Sequence, residues 1–221
     1  MIELIHMDCM DYMRSLPDNA FELAIVDPPY GIDWNKQTKN VNTGKNWIQH
    51  EYKDWDGKSP TPEYFKELYR VSKNQIIWGA NYYIDMLPSP CWIIWDKMQD
   101  GFGKTFSTGE LAWTSFGNTM KQVRYKWQGN YCGFECGITT KSSNGMQNIH
   151  PTQKPVKLYG WLLANYAKPG DRILDTHLGS GSSAIAAHYA GHDFVGIELD
   201  ENYFKAAKKR FVESTKQEAL F

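Results

Sequence analysis

The sequence predicts an α/β fold, a doubly wound domain on a mostly parallel sheet, and three observations carry that expectation. Short apolar runs alternate with helix-like segments along most of the 221 residues, as strands joined by crossover helices require. One apolar run ends in the tetrapeptide Asp27-Pro28-Pro29-Tyr30, and a later one ends in a glycine turn that opens a helix. Both lie at the carboxyl ends of their strands, where open α/β sheets bind ligands.

The elements are read in order. Residues 3–6 form a short strand, and residues 8–15 a helix stopped by Leu16-Pro17. Residues 22–26, ELAIV, are a buried-type strand. The two prolines after it forbid both helix and ladder bonding, so the chain leaves the sheet there as a fixed loop. Beyond a polar stretch, Thr61-Pro62-Glu63 supplies an N-cap with proline in the first turn, opening a helix to about residue 71. A strand at 75–78, a helix at 81–87 and a strand at 91–95 follow. Residues 100–148 are irregular and glycine-rich, with one strand at 110–114. Regularity returns with a helix at 155–167, a strand at 172–174, a helix ending near Gly191, a strand at 193–198 and a helix at 201–213. The expectation is a single domain over residues 1–221.

Composition bounds the function. Hydrophobic residues make up 42% of the chain, enough for a core. No apolar run reaches the ~18 residues a membrane span needs, and the N-terminus lacks the zones of a secretory signal. The expectation is therefore a soluble, cytoplasmic protein with no membrane partner. The cysteines stand at 9, 91, 132 and 136, and the three-residue gap of the last pair is not that of a zinc knuckle. Reduced thiols and no metal are expected.

A formal net charge of −1 offers no global attraction to a polyanion, so nucleic-acid binding must use a local patch. The candidate lies between residues 31 and 58, where Lys36, Lys39, Lys45, Lys53 and Lys58 are interleaved with Trp34, Trp47, Tyr52 and Trp55. Such a mixture suits phosphate contacts and base stacking. Trp34, Lys36, Lys39 and Lys45 are the chosen nucleic-acid contacts; a solvated loop with no ligand is the equal alternative.

Residues Asp175-Thr176-His177-Leu178-Gly179-Ser180-Gly181-Ser182 join strand to helix through two glycines, letting backbone approach a ligand closely. The next strand ends at Glu198, 23 residues after Asp175, where a carboxylate can accept both hydroxyls of a ribose. Together they describe a nucleoside-binding unit. The G-x-G spacing lacks the third glycine of a dinucleotide fingerprint, which ranks a nicotinamide cofactor last.

Asp27-Pro28-Pro29-Tyr30 carries a different chemistry. An amino group conjugated to an aromatic base is a poor nucleophile, because its lone pair is delocalised into the ring. The Asp27 carboxylate and the Pro28 carbonyl can together bind both amino hydrogens and localise that lone pair. Asp27 acts first as an acceptor and takes a proton only once the nitrogen has become cationic. Tyr30 can stack on an extruded base.

With ELAIV before it, Asp27-Pro28-Pro29-Tyr30 resembles the catalytic motif of the amino-methylating DNA methyltransferases. DTHLGSGSS resembles their cofactor motif, with Thr176-His177 where the family usually has Pro-Phe. His150-Pro151-Thr152-Gln153-Lys154-Pro155 is similar to the segment that borders the methionine part of the cofactor. Catalytic motif first and cofactor motif last is the permuted, beta-type order. The resemblance implies a seven-stranded-type methyltransferase fold, S-adenosylmethionine as cofactor, DNA as partner with base flipping, and a place in restriction-modification. It implies that Asp27, Pro28, Pro29 and Tyr30 are catalytic. It also implies that Asp8 contacts the cofactor adenine, with Asp27, His150, Thr152, Gln153, Lys154, Asp175, Thr176, His177, Gly179, Ser180, Gly181, Ser182 and Glu198 around the rest. A helix N-cap is the simpler role for Asp8. The cytosine-N4 branch usually has Ser in place of the first Asp, so Asp27 favours adenine N6. Residues 31–60 are then a mobile DNA-contacting loop and residues 100–148 a small target-recognition insertion. Cytosine N4, RNA adenine and a glutamine side chain are rival acceptors, although the last class begins its tetrapeptide with Asn. A non-catalytic nucleic-acid-binding protein of the same fold is the rival of another class. A homodimer is left open.

Overall fold

The computed structural model describes residues 1–32, 57, 59–88, 91–98, 107–117, 119–126, 149–150 and 152–216. Trp34, Lys36, Lys39 and Lys45, with nearly all of the 31–60 loop and most of the 100–148 insertion, lie outside the described residues.

Among the described residues, eight strands form one sheet: β1 Ile2–His6, β2 Phe21–Val26, β3 Ser72–Trp78, β4 Trp92–Asp96, β5 Gly109–Thr114, β6 Lys121–Arg124, β7 Arg172–Asp175 and β8 Asp193–Glu198. Their order across the sheet is β1-β8-β7-β2-β3-β5-β4-β6, and every pairing is parallel except those made by β5. The helices are α1 Cys9–Arg14, α2 Pro62–Val71, α3 Val156–Tyr166, α4 Ser182–Ala190 and α5 Glu201–Thr215.

The predicted doubly wound arrangement follows from β2. Its side chains alternate between faces, and both faces are apolar, so each needs a cover. Leu23 and Ile25 pack with Leu158, Leu162, Ala184 and Ala207 of α3, α4 and α5. Ala24 and Val26 pack on the opposite side with Met13, Phe65 and Leu68 of α1 and α2. β2 pairs β7 through Leu23↔Ile173 and Ala24↔Leu174, and β7 pairs β8 through Asp175↔Gly196. The carboxyl ends of the three strands that carry the sequence motifs are thereby neighbours.

Three departures from the sequence reading have physical causes. The helix expected at 81–87 is two short 3-10 turns, Ala80–Tyr82 and Ile84–Met86. Gly79, at φ +69°, turns the chain as it leaves β3, and Leu87-Pro88 ends the segment before a helix can propagate. β6 was not expected: KQVR is polar, and only Val123 is buried. It pairs with β4 alone, and an edge strand needs no second apolar face. With it the sheet has eight strands rather than the seven of the implied type.

Candidate active site

A cavity of about 500 Å³ opens at the carboxyl edge of the sheet. Most of the candidate residues line it: Asp8, Asp27, Pro29, His150, Thr152, Gln153, Lys154, Thr176, His177, Gly179, Ser180 and Glu198. Pro28, Tyr30, Asp175, Gly181 and Ser182 do not line it.

The glycine turn is held from several sides. Asp175, 1% exposed, accepts the Ser183 hydroxyl at 2.6 Å and the His177 backbone N–H at 3.0 Å. Burial pushes its carboxyl up to about 7. Gly181, at φ +75°, is the N-cap of α4, and a Cβ there would lie 3.3 Å from Ala207. Arg210 of α5 donates to the Ser180 carbonyl and the Ser182 hydroxyl, each at 2.8 Å. Glu198 accepts the Gly179 N–H at 2.8 Å and the Asp200 N–H at 3.0 Å, so the carboxylate expected to meet a ribose also fixes the turn. Each oxygen keeps a lone pair for a ligand.

The two residues where the family's Pro-Phe is expected are anchored as well. Thr176 Oγ1 lies 2.7 Å from the Tyr64 hydroxyl and 2.9 Å from His177 Nδ1. Burial holds the His177 imidazole down to about 4, so the ring is neutral near pH 7. Asp8 caps α1 by accepting Met10 N–H at 2.7 Å, and it also lines the cavity.

Across the cavity, Asp27 follows the last residue of β2. Its Oδ1 accepts the Tyr30 hydroxyl at 2.7 Å, and its Oδ2 is ion-paired with the Lys154 ammonium. Lys154 also reaches the Tyr30 hydroxyl at 3.2 Å and Glu110 Oε2 at 3.3 Å, and Glu110 Oε1 is paired with Lys97 at 2.5 Å. Two carboxylates and two ammonium groups thus run Asp27, Lys154, Glu110, Lys97. Burial alone would raise the Glu110 carboxyl, but Lys154 and Lys97 outweigh it and hold the group at about 2. Burial alone would lower the Lys154 ammonium, but Asp27 and Glu110 hold it above its ordinary value, so it stays charged.

Three site residues meet partners within the protein that the sequence did not announce. Lys154, expected at the cofactor, lines the cavity and directs its ammonium at Asp27 and Glu110, because a side chain 3% exposed must meet opposite charge. The Pro28 carbonyl shares one donor with its neighbour: the Tyr83 hydroxyl, 2.9 Å from it and 2.6 Å from the Pro29 carbonyl, holds the loop. The Tyr30 ring is stacked on Tyr82, with centroids 4.9 Å apart and planes at 16°.

Sequence reasoning passed over Glu110, Lys97, Tyr83, Tyr82, Tyr64 and Arg210. Glu110 alone left a signal, an acidic residue inside the apolar strand GELAWT. The others are ordinary in their segments.

Residues 116–209 match the family described as DNA methylase, whose designation covers N6 and N4 amino methylation. The match holds the His150 to Pro155 segment, the glycine turn and Glu198. Over this segment the chain resembles the amino-methylating DNA methyltransferases. A type II methyltransferase of Haemophilus influenzae, M.HinfI, is 27% identical over 93% of this chain and 67% of its own length. A second, M2.LlaDCHI of Lactococcus lactis subsp. cremoris, is 24% identical over 94% of this chain and 88% of its own. Both alignments extend over nearly all of this chain, well beyond the matched family segment. Among solved structures, M1.HpyAVI in its SAM complex superposes with a TM-score of 0.59 at 21% identity, covering 95% of this chain and all of that one. The cytosine-N4-specific PvuII DNA methyltransferase superposes at 0.56 with 12% identity, covering 98% and 92%. These likenesses establish the methyltransferase fold.

Proposed function

We propose that this protein is a methyltransferase that moves a methyl group from S-adenosylmethionine to the N6 amino group of adenine in DNA, with the base turned out of the duplex. The observation that carries the reading is the position of Asp27. It stands on a proline-stiffened loop, at a strand end, on the wall of the cavity that the glycine turn closes from the other side.

The cavity fits the cofactor. Its volume of about 500 Å³ suits a nucleoside-sized ligand. Gln153, 5% exposed, lines it and has a side-chain N–H with no hydrogen-bond partner among the described residues, a donor suited to a carboxylate. Asp8 and Glu198, on the same wall, are acceptors suited to an amino group and hydroxyls. Bound there, the cofactor supplies an electrophilic methyl on a sulfonium, whose carbon–sulfur pair stays on sulfur when the amino nitrogen takes the methyl.

Asp27 supplies the remaining chemistry. Tyr30 and Lys154 each occupy one position on its oxygens, and the carboxylate has acceptor sites left for an amino hydrogen. Once methylated, the nitrogen is cationic and its proton passes to that carboxylate. Most of the rate comes from holding the amino group in line with the methyl. Adenine is favoured over cytosine because Asp stands first in the tetrapeptide, where the N4 branch usually has Ser. A role in restriction-modification is supported by relatives that are type II methyltransferases.

The test is transfer of labelled methyl to unmethylated duplex DNA, with mass spectrometry of the product nucleosides and Asp27→Ala as control. N6-methyladenine lost in the variant is the expected result. N4-methylcytosine would overturn the base assignment, and methylation of RNA or protein alone would overturn the substrate.

A further inference from the structure

Glu110 is the feature the reaction as described does not use. It sits in β5, between neighbours that are apolar, and its side chain is 23% exposed. A carboxylate there is poor value for stability, because a buried ion pair is often no better than an apolar pair of the same size. Yet both its oxygens are paired, one with Lys97 at 2.5 Å and one with Lys154 at 3.3 Å. The ammonium it shares is the one paired with Asp27.

We propose that Glu110 is a positioning residue for methyl transfer: it shares the Lys154 ammonium with Asp27, so that this charge stays compensated when Asp27 gains the amino proton. The inference rests on the function proposed above. In the step, a nitrogen–carbon bond forms as the carbon–sulfur bond breaks with its electron pair on sulfur. One N–H bond of the cationic nitrogen then breaks, and its proton goes to Asp27 and later to solvent. Before the step, Asp27 and Glu110 balance Lys154 and Lys97 in charge. After it, Asp27 is neutral, and Lys154 retains an ionised partner only in Glu110. With no charge at position 110, protonating Asp27 would leave two buried ammonium groups uncompensated, and Asp27 would be a weaker proton acceptor.

The groups that face Asp27 come from every side: Lys154 before α3, Tyr30 on its own loop, Glu110 from β5, Asp175 from β7 and Tyr159 from α3. Among the described residues, only Glu110 is joined to Asp27 through a shared ammonium. Two carboxylates that share one ammonium lie within roughly 6 Å, where like charges shift each other's titration by up to about 2 pH units at an effective permittivity of about 20.

The experiment is single-turnover methyl transfer to duplex DNA, as a function of pH, by the full-length chain loaded with S-adenosylmethionine. Glu110→Gln should move the acid limb to lower pH by at least roughly half a unit and lower the plateau rate about tenfold. Lys97→Met removes the charge that draws on Glu110 from the other side, and should move the acid limb to higher pH. Circular dichroism and cofactor titration identify a variant that has lost its fold or its cofactor; if Glu110→Gln does, the direction of the Lys97→Met shift decides. Opposite shifts support the proposal, and acid limbs that coincide with wild type in folded variants overturn it while leaving the function intact. A wild-type chain that methylates no base in DNA overturns both.

Discussion

Replacing Tyr83 by Phe isolates one hydrogen on which the geometry of the reacting loop depends. Tyr83 is 1% exposed, and its hydroxyl points at the carbonyls of Pro28 and Pro29. A hydroxyl has one hydrogen, so the two short distances describe one shared bond rather than two full ones. The variant keeps the ring packing on Phe65 and Tyr30, with centroids at 5.5 and 6.4 Å. What it loses is the one hydroxyl donor, among the described residues, to carbonyls that cannot all reach water. Leaving such an acceptor unsatisfied costs about 1–3 kcal/mol. In a domain of this length that is a fall in Tm of about 2–4 °C per kcal/mol. The activity effect follows from position: Asp27 is one residue before Pro28, and a small displacement of a reacting group lowers the rate by about tenfold or more. Calorimetry measures the first and single-turnover transfer the second, with a cofactor titration expected to stay within about twofold. A lower Tm with an unchanged rate would refute the reasoning, since the prolines alone would then hold the loop. An unchanged Tm would refute the bond itself.

Two further outcomes are expected from the cofactor half. Arg210→Leu removes the donor to Ser180 and Ser182, and should weaken S-adenosylmethionine binding about tenfold while leaving the rate at saturating cofactor within about threefold; isothermal titration and kinetics separate the two. His177 gives a pH dependence whose sign is fixed. Its folded titration point, about 4, lies below the ordinary 6.5, so the unfolded chain takes up the proton more readily. Stability tied to this group is present above about pH 6.5 and lost as pH falls toward 4. Against His177→Asn, the cofactor-free wild type should lose about 1–3 kcal/mol over that window in denaturant titrations, part of the full value being screened because the ring is only half-buried. Parallel curves for the two proteins would count against a neutral folded His177.

The parts of the site legible in the sequence are those whose chemistry is local. Two prolines after ELAIV force a rigid loop, and two glycines after RILD admit a ligand to the backbone, whatever the rest of the chain does. These restraints act within a few residues, and the structure finds the loop and the turn on one cavity. The same is true of Asp8, whose capping role needs only the helix that follows it.

What only the tertiary structure decided is which charges and hydroxyls meet. Lys154 is 127 positions from Asp27, and nothing in the segment that carries it announces that the sheet sets its ammonium against Asp27 after β2 and Glu110 of β5. Tyr83 stands in a stretch that reads as helix, and it reaches the proline loop because Gly79 turns the chain at the end of β3. Strand order is the physical reason. Hydrophobic periodicity says that a segment is a strand and which residues it buries, while its place beside another strand depends on how the helices cover both faces at once. Ion pairs form after that choice, because only burial makes an unpaired charge costly enough to demand a partner.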